Sequence, residues 1–249
     1  MPAGAPHKAI DTSCQDCSIR QRAVCAHCDA TDLIELERFK TYRSYRPGET
    51  IAWAGEKIRL VGSVVEGVAM LSGALPDGRR QMVGLLLPSD FLGRPGRERN
   101  AYDVVAATDV TFCMFQKAEF ERLVARKPQI ERRLLEMTLD ELDSAREWML
   151  LLGRKTARER IASLFVIMAR RDAASPLGAR PGGLRFPLYI TREAMADYLG
   201  LTIETVSRQV SALRHDGLIE LGENRMVHVP DFVRLIEESG DDADGGVLC

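Results

Sequence analysis

The chain has 249 residues, 45% hydrophobic and 28% charged, an ordinary globular composition that excludes disorder throughout and suffices for one large or two modest domains. Its net charge of −2 hides an uneven distribution: residues 231–249 hold six acids (Asp231, Glu237, Glu238, Asp241, Asp242, Asp244) and one base, Arg234, leaving +3 on residues 1–230. No run of about 18 uncharged apolar residues occurs and the start carries no apolar signal core, so a soluble cytoplasmic protein without a membrane partner is expected.

Six cysteines in a reducing compartment read as metal ligands or free thiols rather than as a disulfide framework. Four of them, Cys14, Cys17, Cys25 and Cys28, form C-x2-C-x7-C-x2-C. Each C-x2-C pair brings two thiolates from one tight turn to a common centre, and four soft ligands suit zinc or iron–sulfur chemistry. Spacing alone leaves both open. The rest of residues 1–31 is polar and without periodic apolar pattern, so its order is expected from a bound metal centre rather than from a core.

From Tyr45 to Phe115 short apolar runs alternate with turn signals such as Pro47-Gly48, Gly55, Gly67, Pro76-Asp77-Gly78 and Pro88-Ser89-Asp90. That spacing predicts many short antiparallel strands closing into a roll or barrel, assigned to residues 32–128. Cys113, within Thr111-Phe112-Cys113-Met114-Phe115, reads on bare sequence as a small buried hydrophobe on one strand.

Residues 129–155 predict one long helix. Leu135, Thr138, Leu142, Ala145, Met149 and Leu152 recur at spacings of 3 and 4 with charged residues between them, a heptad seam suited to a second copy of the chain. An ordinary amphipathic helix packing within one chain gives the same pattern, and Thr138 and Ala145 favour close approach over a strong zipper.

Residues 154–228 hold twelve Arg or Lys against eight Asp or Glu. A helix from Ala157 to Arg170 precedes a Pro/Gly-rich loop. Thr191 then caps a short helix with inner face Ala194, Met195, Tyr198 and Leu199, Gly200 supplies the turn, and Thr202 caps a second helix. Ile203, Val206, Val210 and Leu213 mark its buried face, leaving Glu204, Ser207, Arg208 and Ser211 on the opposite one. Arginine donates twice to guanine, glutamate accepts from cytosine and serine does either, so that face suits a DNA major groove. Leu218–Leu221 and Met226–Val229 predict a hairpin wing, completing a winged helix-turn-helix over 156–239. Residues 240–249 read as an acidic disordered tail, with Cys249 an idle thiol.

Thr191 to Leu213, in particular Glu204-Thr205-Val206-Ser207-Arg208, resembles the recognition helix of the FNR branch of the CRP/FNR superfamily of bacterial regulators. Cys14-Gln15-Asp16-Cys17-Ser18-Ile19 resembles that branch's cluster motif. The resemblance implies an α+β fold: an antiparallel β-roll sensory domain of the cyclic-nucleotide-binding jelly-roll type, a dimerisation helix and a C-terminal winged helix-turn-helix. It implies a four-iron four-sulfur cluster held by Cys14, Cys17, Cys25 and Cys113, with Cys28 the alternative third ligand, convertible to a two-iron form in air. The gap of seven between the second and third cysteines departs from the five of the best-known members. It further implies a homodimer reading a palindrome of TTGAT and ATCAA half-sites on double-stranded DNA through Glu204, Ser207 and Arg208, beside which Thr202 at the helix start and Ser211 on the same outer face are expected to contact DNA. RNA polymerase is an implied partner. Oxygen is expected to destroy the cluster, weaken the dimer and release DNA.

A cyclic nucleotide is not expected, because Phe91-Leu92-Gly93-Arg94 and Asn100-Ala101-Tyr102-Asp103 lack the glutamate and arginine of the family's phosphate cassette. An iron–sulfur electron carrier leaves the helix-turn-helix unexplained. No dinucleotide, Walker A, zinc-protease or nucleophile-elbow motif recommends an enzyme.

Overall fold

The computed structural model describes residues 13–74, 77, 80–173, 179–180 and 183–241. The chain divides into two compact units, Met1–Thr138 and Leu139–Cys249.

The first unit opens on a turn-rich segment leading into α1 (Ala30–Glu37), whose N-terminus is closed by a capping box between Asp29 and Asp32. Eight strands follow: β1 (Lys40–Tyr45), β2 (Thr50–Ala52), β3 (Leu60–Glu66), β4 (Ala69–Ala74), β5 (Arg80–Leu86), β6 (Phe91–Leu92), β7 (Asp103–Ala106) and β8 (Val110–Gln116). They pair antiparallel in two four-stranded sheets, β1-β8-β3-β6 and β2-β7-β4-β5. This is the expected roll, begun five residues earlier than the turn signals indicate.

Strand β8 explains its own near-continuous apolar sequence. Alternate side chains leave opposite faces of a strand, and here both faces are covered. Val110, Phe112 and Met114 join one core with Val64, Ala69 and Val104. Cys113 and Phe115 join the other, with Val61, Phe120, Leu123 and Ile130. The backbone of β8 passes so close to Gly62 that a Cβ there would lie 2.1 Å from the Cys113 carbonyl oxygen, so only glycine fits.

The cysteine-bearing segment corrects one expectation. Ile19, Ala23 and Val24 are buried with Cys14 and Cys28 in the second of these cores, so residues 13–29 do contribute apolar side chains to a core. The sequence pattern hides this because the apolar residues sit in irregular turns, where no 2.0 or 3.6 period marks a face.

Helix α2 (Lys117–Arg126) follows β8, and α3 (Pro128–Arg154) starts with proline at its first position, where the missing N–H costs nothing. Its 27 residues span about 40 Å. Leu135, Leu139, Leu142, Met149 and Leu150 lie exposed along it.

In the second unit, Trp148 of α3 stacks on Tyr198 with ring centroids 3.9 Å apart. Helix α4 (Ala157–Ala173), strands β9 (Ala179–Arg180) and β10 (Gly183–Pro187), helices α5 (Arg192–Leu199) and α6 (Ile203–His215), strands β11 (Glu220–Leu221) and β12 (Met226–Val229), and α7 (Phe232–Glu238) complete it. The wing is wider than the predicted hairpin: the sheet order is β11-β12-β10-β9, because Leu184, Arg185 and Phe186 pair with Val229, His228 and Val227. The Arg160 guanidinium donates to the carbonyls of Leu152, Lys155 and Leu199, joining the C-terminal ends of α3 and α5.

The start of the acidic tail departs from the disordered reading. Asp241 accepts from Lys155 Nζ at 2.6 Å and from Ser239 Oγ at 2.8 Å. Residues 242–249, Cys249 included, lie outside the described residues. Among the described residues no helix is long and apolar enough to cross a membrane.

Candidate thiol site and DNA interface

Two turns present the N-terminal cysteines. Ser13 and Asp16 close the first, with Asp16 N donating to Ser13 O, so Cys14 and Cys17 flank a tight bend. Cys28 N donates to Cys25 O in the second. The Arg20 guanidinium donates to the carbonyls of Cys25, Ala26 and Cys28 at 2.7–2.9 Å, fixing that turn from within the loop. Cys14 N donates to Glu37 Oε1 at 3.3 Å, tying the first pair to α1.

The fourth predicted ligand comes from the roll. Cys113 stands on the face of β8 that covers this segment, cross-strand from Tyr42 on β1 and Ser63 on β3. Its thiol is pushed up to about 12 by burial and then by Cys14, Cys17 and Cys25. Burial likewise raises Cys25 to about 11, with Cys17 and Cys14 adding to it and Arg20 opposing. Four thiols from a loop and a strand therefore share one neighbourhood. Cys28 is raised to about 12 by burial, then by Cys25, Asp32 and Asp29, and so stands toward the cap of α1. Five described cysteines are free thiols. Among the described residues no three of His, Cys, Asp and Glu gather around a single ion position.

Lys40 and Tyr42 belong to this neighbourhood although the sequence reading passed over them. Lys40 acts on Cys14, and the Tyr42 hydroxyl is raised to about 12 by burial and then by Cys113. Their alternation on β1, two residues apart and facing Cys113, was the available signal.

The second constellation sits on α5 and α6. The Thr191 side chain accepts from Ala194 N, Gly200 ends α5 with φ +62°, and the Thr202 side chain accepts from Thr205 N. Each feature satisfies helix-terminal backbone groups, and the left-handed Gly200 turns the chain between the helices. Val206, Val210 and Leu213 are buried, while Thr202, Glu204, Ser207, Arg208 and Ser211 are all exposed. The Glu204 carboxyl is held below its usual value by its own backbone N–H and the Thr202 hydroxyl, which fixes it at the helix start.

Ile203 departs from its assignment to the buried face, being 46% exposed. It is the first residue of α6, and periodicity alone does not show where along a helix the apolar stripe is covered. Arg192 and Arg225, also passed over, stand together beside the turn between β11 and β12: burial and then Arg225 lower the Arg192 guanidinium, and Arg225 donates to the Ile190 carbonyl.

An antiparallel roll, a long helix with an exposed apolar seam and a winged helix-turn-helix define a DNA-binding transcription regulator. The Crp-like helix-turn-helix domain family matches residues 159–238, and the cyclic nucleotide-binding domain family matches residues 42–127. The chain is 62% identical to the transcriptional activator protein FnrL of Cereibacter sphaeroides over 94% of both chains. It is 30% identical to the transcriptional activator protein anr of Pseudomonas aeruginosa, covering 93% of this chain and 94% of that one. The structure of FixK2 from Bradyrhizobium japonicum superposes with a TM-score of 0.71 at 34% identity, covering 80% of this chain and 96% of that chain. The chain belongs to the CRP/FNR family of transcriptional regulators, whose members here are regulators and not enzymes.

Proposed function

We propose that this regulator is an oxygen-responsive transcription activator of the cytoplasm, binding a TTGAT/ATCAA-type palindrome as a homodimer while an iron–sulfur cluster is intact. The observation that carries the reading is the neighbourhood of Cys14, Cys17, Cys25 and Cys113, three from one loop and one from β8, each thiol acting on the Cys113 thiol. These four residues fit a four-iron four-sulfur group: sulfur donors, half-buried or buried, in an apolar core. A single tetrahedral zinc draws its thiolates to about 2.3 Å from one point; a cluster asks less, since each iron takes its own thiolate. Cys25 is preferred to Cys28 because it acts on Cys113, whereas Cys28 faces the carboxylates of Asp29 and Asp32.

Bound there, the cluster supplies an oxygen-labile crosslink between the N-terminal loop and the roll. The rest is done by the chain. Leu135, Leu142 and Met149 offer the homodimer seam, two copies of α6 match the two half-sites, and Glu204, Ser207 and Arg208 read base edges. Names such as FnrL and anr, both transcriptional activators, support activation, with RNA polymerase the implied partner.

Protein purified without air should be brown, hold iron and sulfide in equal amounts, sediment as a dimer and bind the palindrome. Admitting air should remove the colour, the dimer and the DNA affinity together. Colourless zinc-loaded protein, or bleaching with dimer and affinity unchanged, overturns the reading.

A further inference from the structure

Residues 18–24 bridge Cys17 and Cys25, and the middle of that bridge is held by a side chain more than a hundred residues away. Arg133 Nη2 donates to the Arg22 carbonyl at 2.6 Å and Nε to the Ala23 carbonyl at 3.5 Å. Its third nitrogen, Nη1, meets Glu136 Oε2 at 3.4 Å. Glu136 is itself gripped by Arg132 at 3.2 Å and reaches back to the loop through His27 Nε2 at 3.6 Å. The guanidinium is therefore oriented from its own helix and spends two nitrogens on the loop, an arrangement that a lysine point charge cannot reproduce.

The position of Arg133 on α3 gives this contact a consequence. Ile130, Leu134 and Met137 turn the same side of the helix into the core that holds Cys14, Cys28 and Cys113. Leu135 lies two residues on, about 200° around the helix, and is exposed with Leu142 on the seam. The first turns of α3 thus have the cysteine loop fastened to one side and Leu135, where the apolar seam begins, exposed on the other.

We propose that Arg133 is the positioning residue that couples the cysteine loop to the dimer helix. The inference rests on the cluster reading above. When Cys17 and Cys25 are both tied to one group, the ends of the bridge are fixed and the Arg22 and Ala23 carbonyls stand where Arg133 grips them. Release of the ends displaces the middle of the bridge most, and α3 then loses the contact that seats its first turns. Arg122, 71% exposed and paired with Glu119 within α2, supplies a charge-matched control outside this set of contacts.

Wild type, Arg133→Ala and Arg122→Ala are purified without air, assayed for iron and sulfide, and sedimented before and after air. Wild type and Arg122→Ala should change their dimer dissociation constant about tenfold or more on cluster loss, and Arg133→Ala less than about twofold at equal iron content. Equal iron with full linkage retained in Arg133→Ala overturns the proposal. If Arg133→Ala loads no cluster, hydrogen exchange in the wild type decides: on air, amides of residues 18–24 and 129–137 must change together, and a change confined to the loop overturns it. Wild type without iron or sulfide sinks the cluster reading separately. The coupling is then judged on the metal-free chain, where Arg133→Ala must raise exchange in both segments and unchanged exchange in the helix rejects it.

Discussion

Ser63 lies directly across the β3–β8 ladder from Cys113, and its buried hydroxyl has no hydrogen-bond partner among the described residues. Directly opposed residues in an antiparallel pair project from the same face, so Ser63, Cys113 and Tyr42 form one row facing the cysteine loop. A buried hydroxyl left unpaired costs about 1–3 kcal/mol. Ser63→Ala should therefore leave the metal-free chain as stable as wild type or stabilise it by about 1 kcal/mol, measured by urea unfolding in the presence of reductant. A clear loss of stability would show that the hydroxyl has a partner in solution.

That row also shows where sequence reading reaches its limit. The alternation in Thr111–Phe115 identifies a strand, yet which of two buried faces Cys113 occupies depends on register with β1 and β3, and register between distant strands leaves no trace in a single segment. The caps and turn of the helix-turn-helix were legible because their signals are local: Thr191 and Thr202 cap, Gly200 turns, and Val206, Val210 and Leu213 repeat. Ile203 was misplaced because periodicity marks a stripe along a helix but not how far along it that stripe is covered. Strand β10 was missed because its partner, β12, comes far later in the chain, and β9, inside the loop rich in proline and glycine, pairs only with β10. Arg20 and Arg133 carried no pattern at all, as their acceptors are backbone carbonyls, which every residue has.

Asp32 predicts an acid sensitivity in the first unit. Burial opposes its ionisation, but hydrogen bonds from Lys127, Gln129 and the Asp29 backbone outweigh it and hold the carboxyl below the usual value. Lys127 Nζ stands 2.6 Å from Oδ1, and Gln129 Nε2 donates to Oδ2 at 2.5 Å, so this carboxylate pins α1 to the α2–α3 junction. A depressed folded-state value stabilises the fold above the unfolded-state value of about 3.9, and the contribution disappears as pH falls through the folded-state value. Asp32→Asn should cost about 2–3 kcal/mol at pH 7, less than a fully buried pair because Lys127 reaches water. The gap between wild type and variant should close below about pH 4. A gap that persists undiminished in acid would show that the carboxylate charge is not what the site uses.

The seam on α3 predicts a clean separation of folding from association. Leu142 is 44% exposed and Leu135 59%, so neither is needed to fill the core of one chain. Leu142→Glu places a charge on both helices where a heptad seam brings them together, and like charges there oppose pairing. The expected outcome is an unchanged helical circular-dichroism spectrum and thermal midpoint at low concentration, with dimerisation weakened about tenfold or more. A variant that dimerises as wild type does moves the homodimer interface away from α3.

Arg208 separates base reading from mere attraction to phosphate. It is exposed on the second turn of α6, one turn after Glu204, whose carboxylate is fixed at the helix start by Thr202. A guanidinium can donate to both O6 and N7 of a guanine, and loss of such a bidentate contact costs about 1–3 kcal/mol at that base pair. Arg208→Ala should therefore weaken binding to the preferred palindrome by that amount, while its affinity for sites substituted at the contacted pair falls far less. The two panels compare directly in a titration at one fixed salt concentration. A phosphate contact behaves differently: it weakens every sequence alike and lowers the salt dependence of binding by about one ion. Uniform loss with a shallower salt slope would reassign Arg208 to the backbone and leave Glu204 and Ser207 as the base-reading pair.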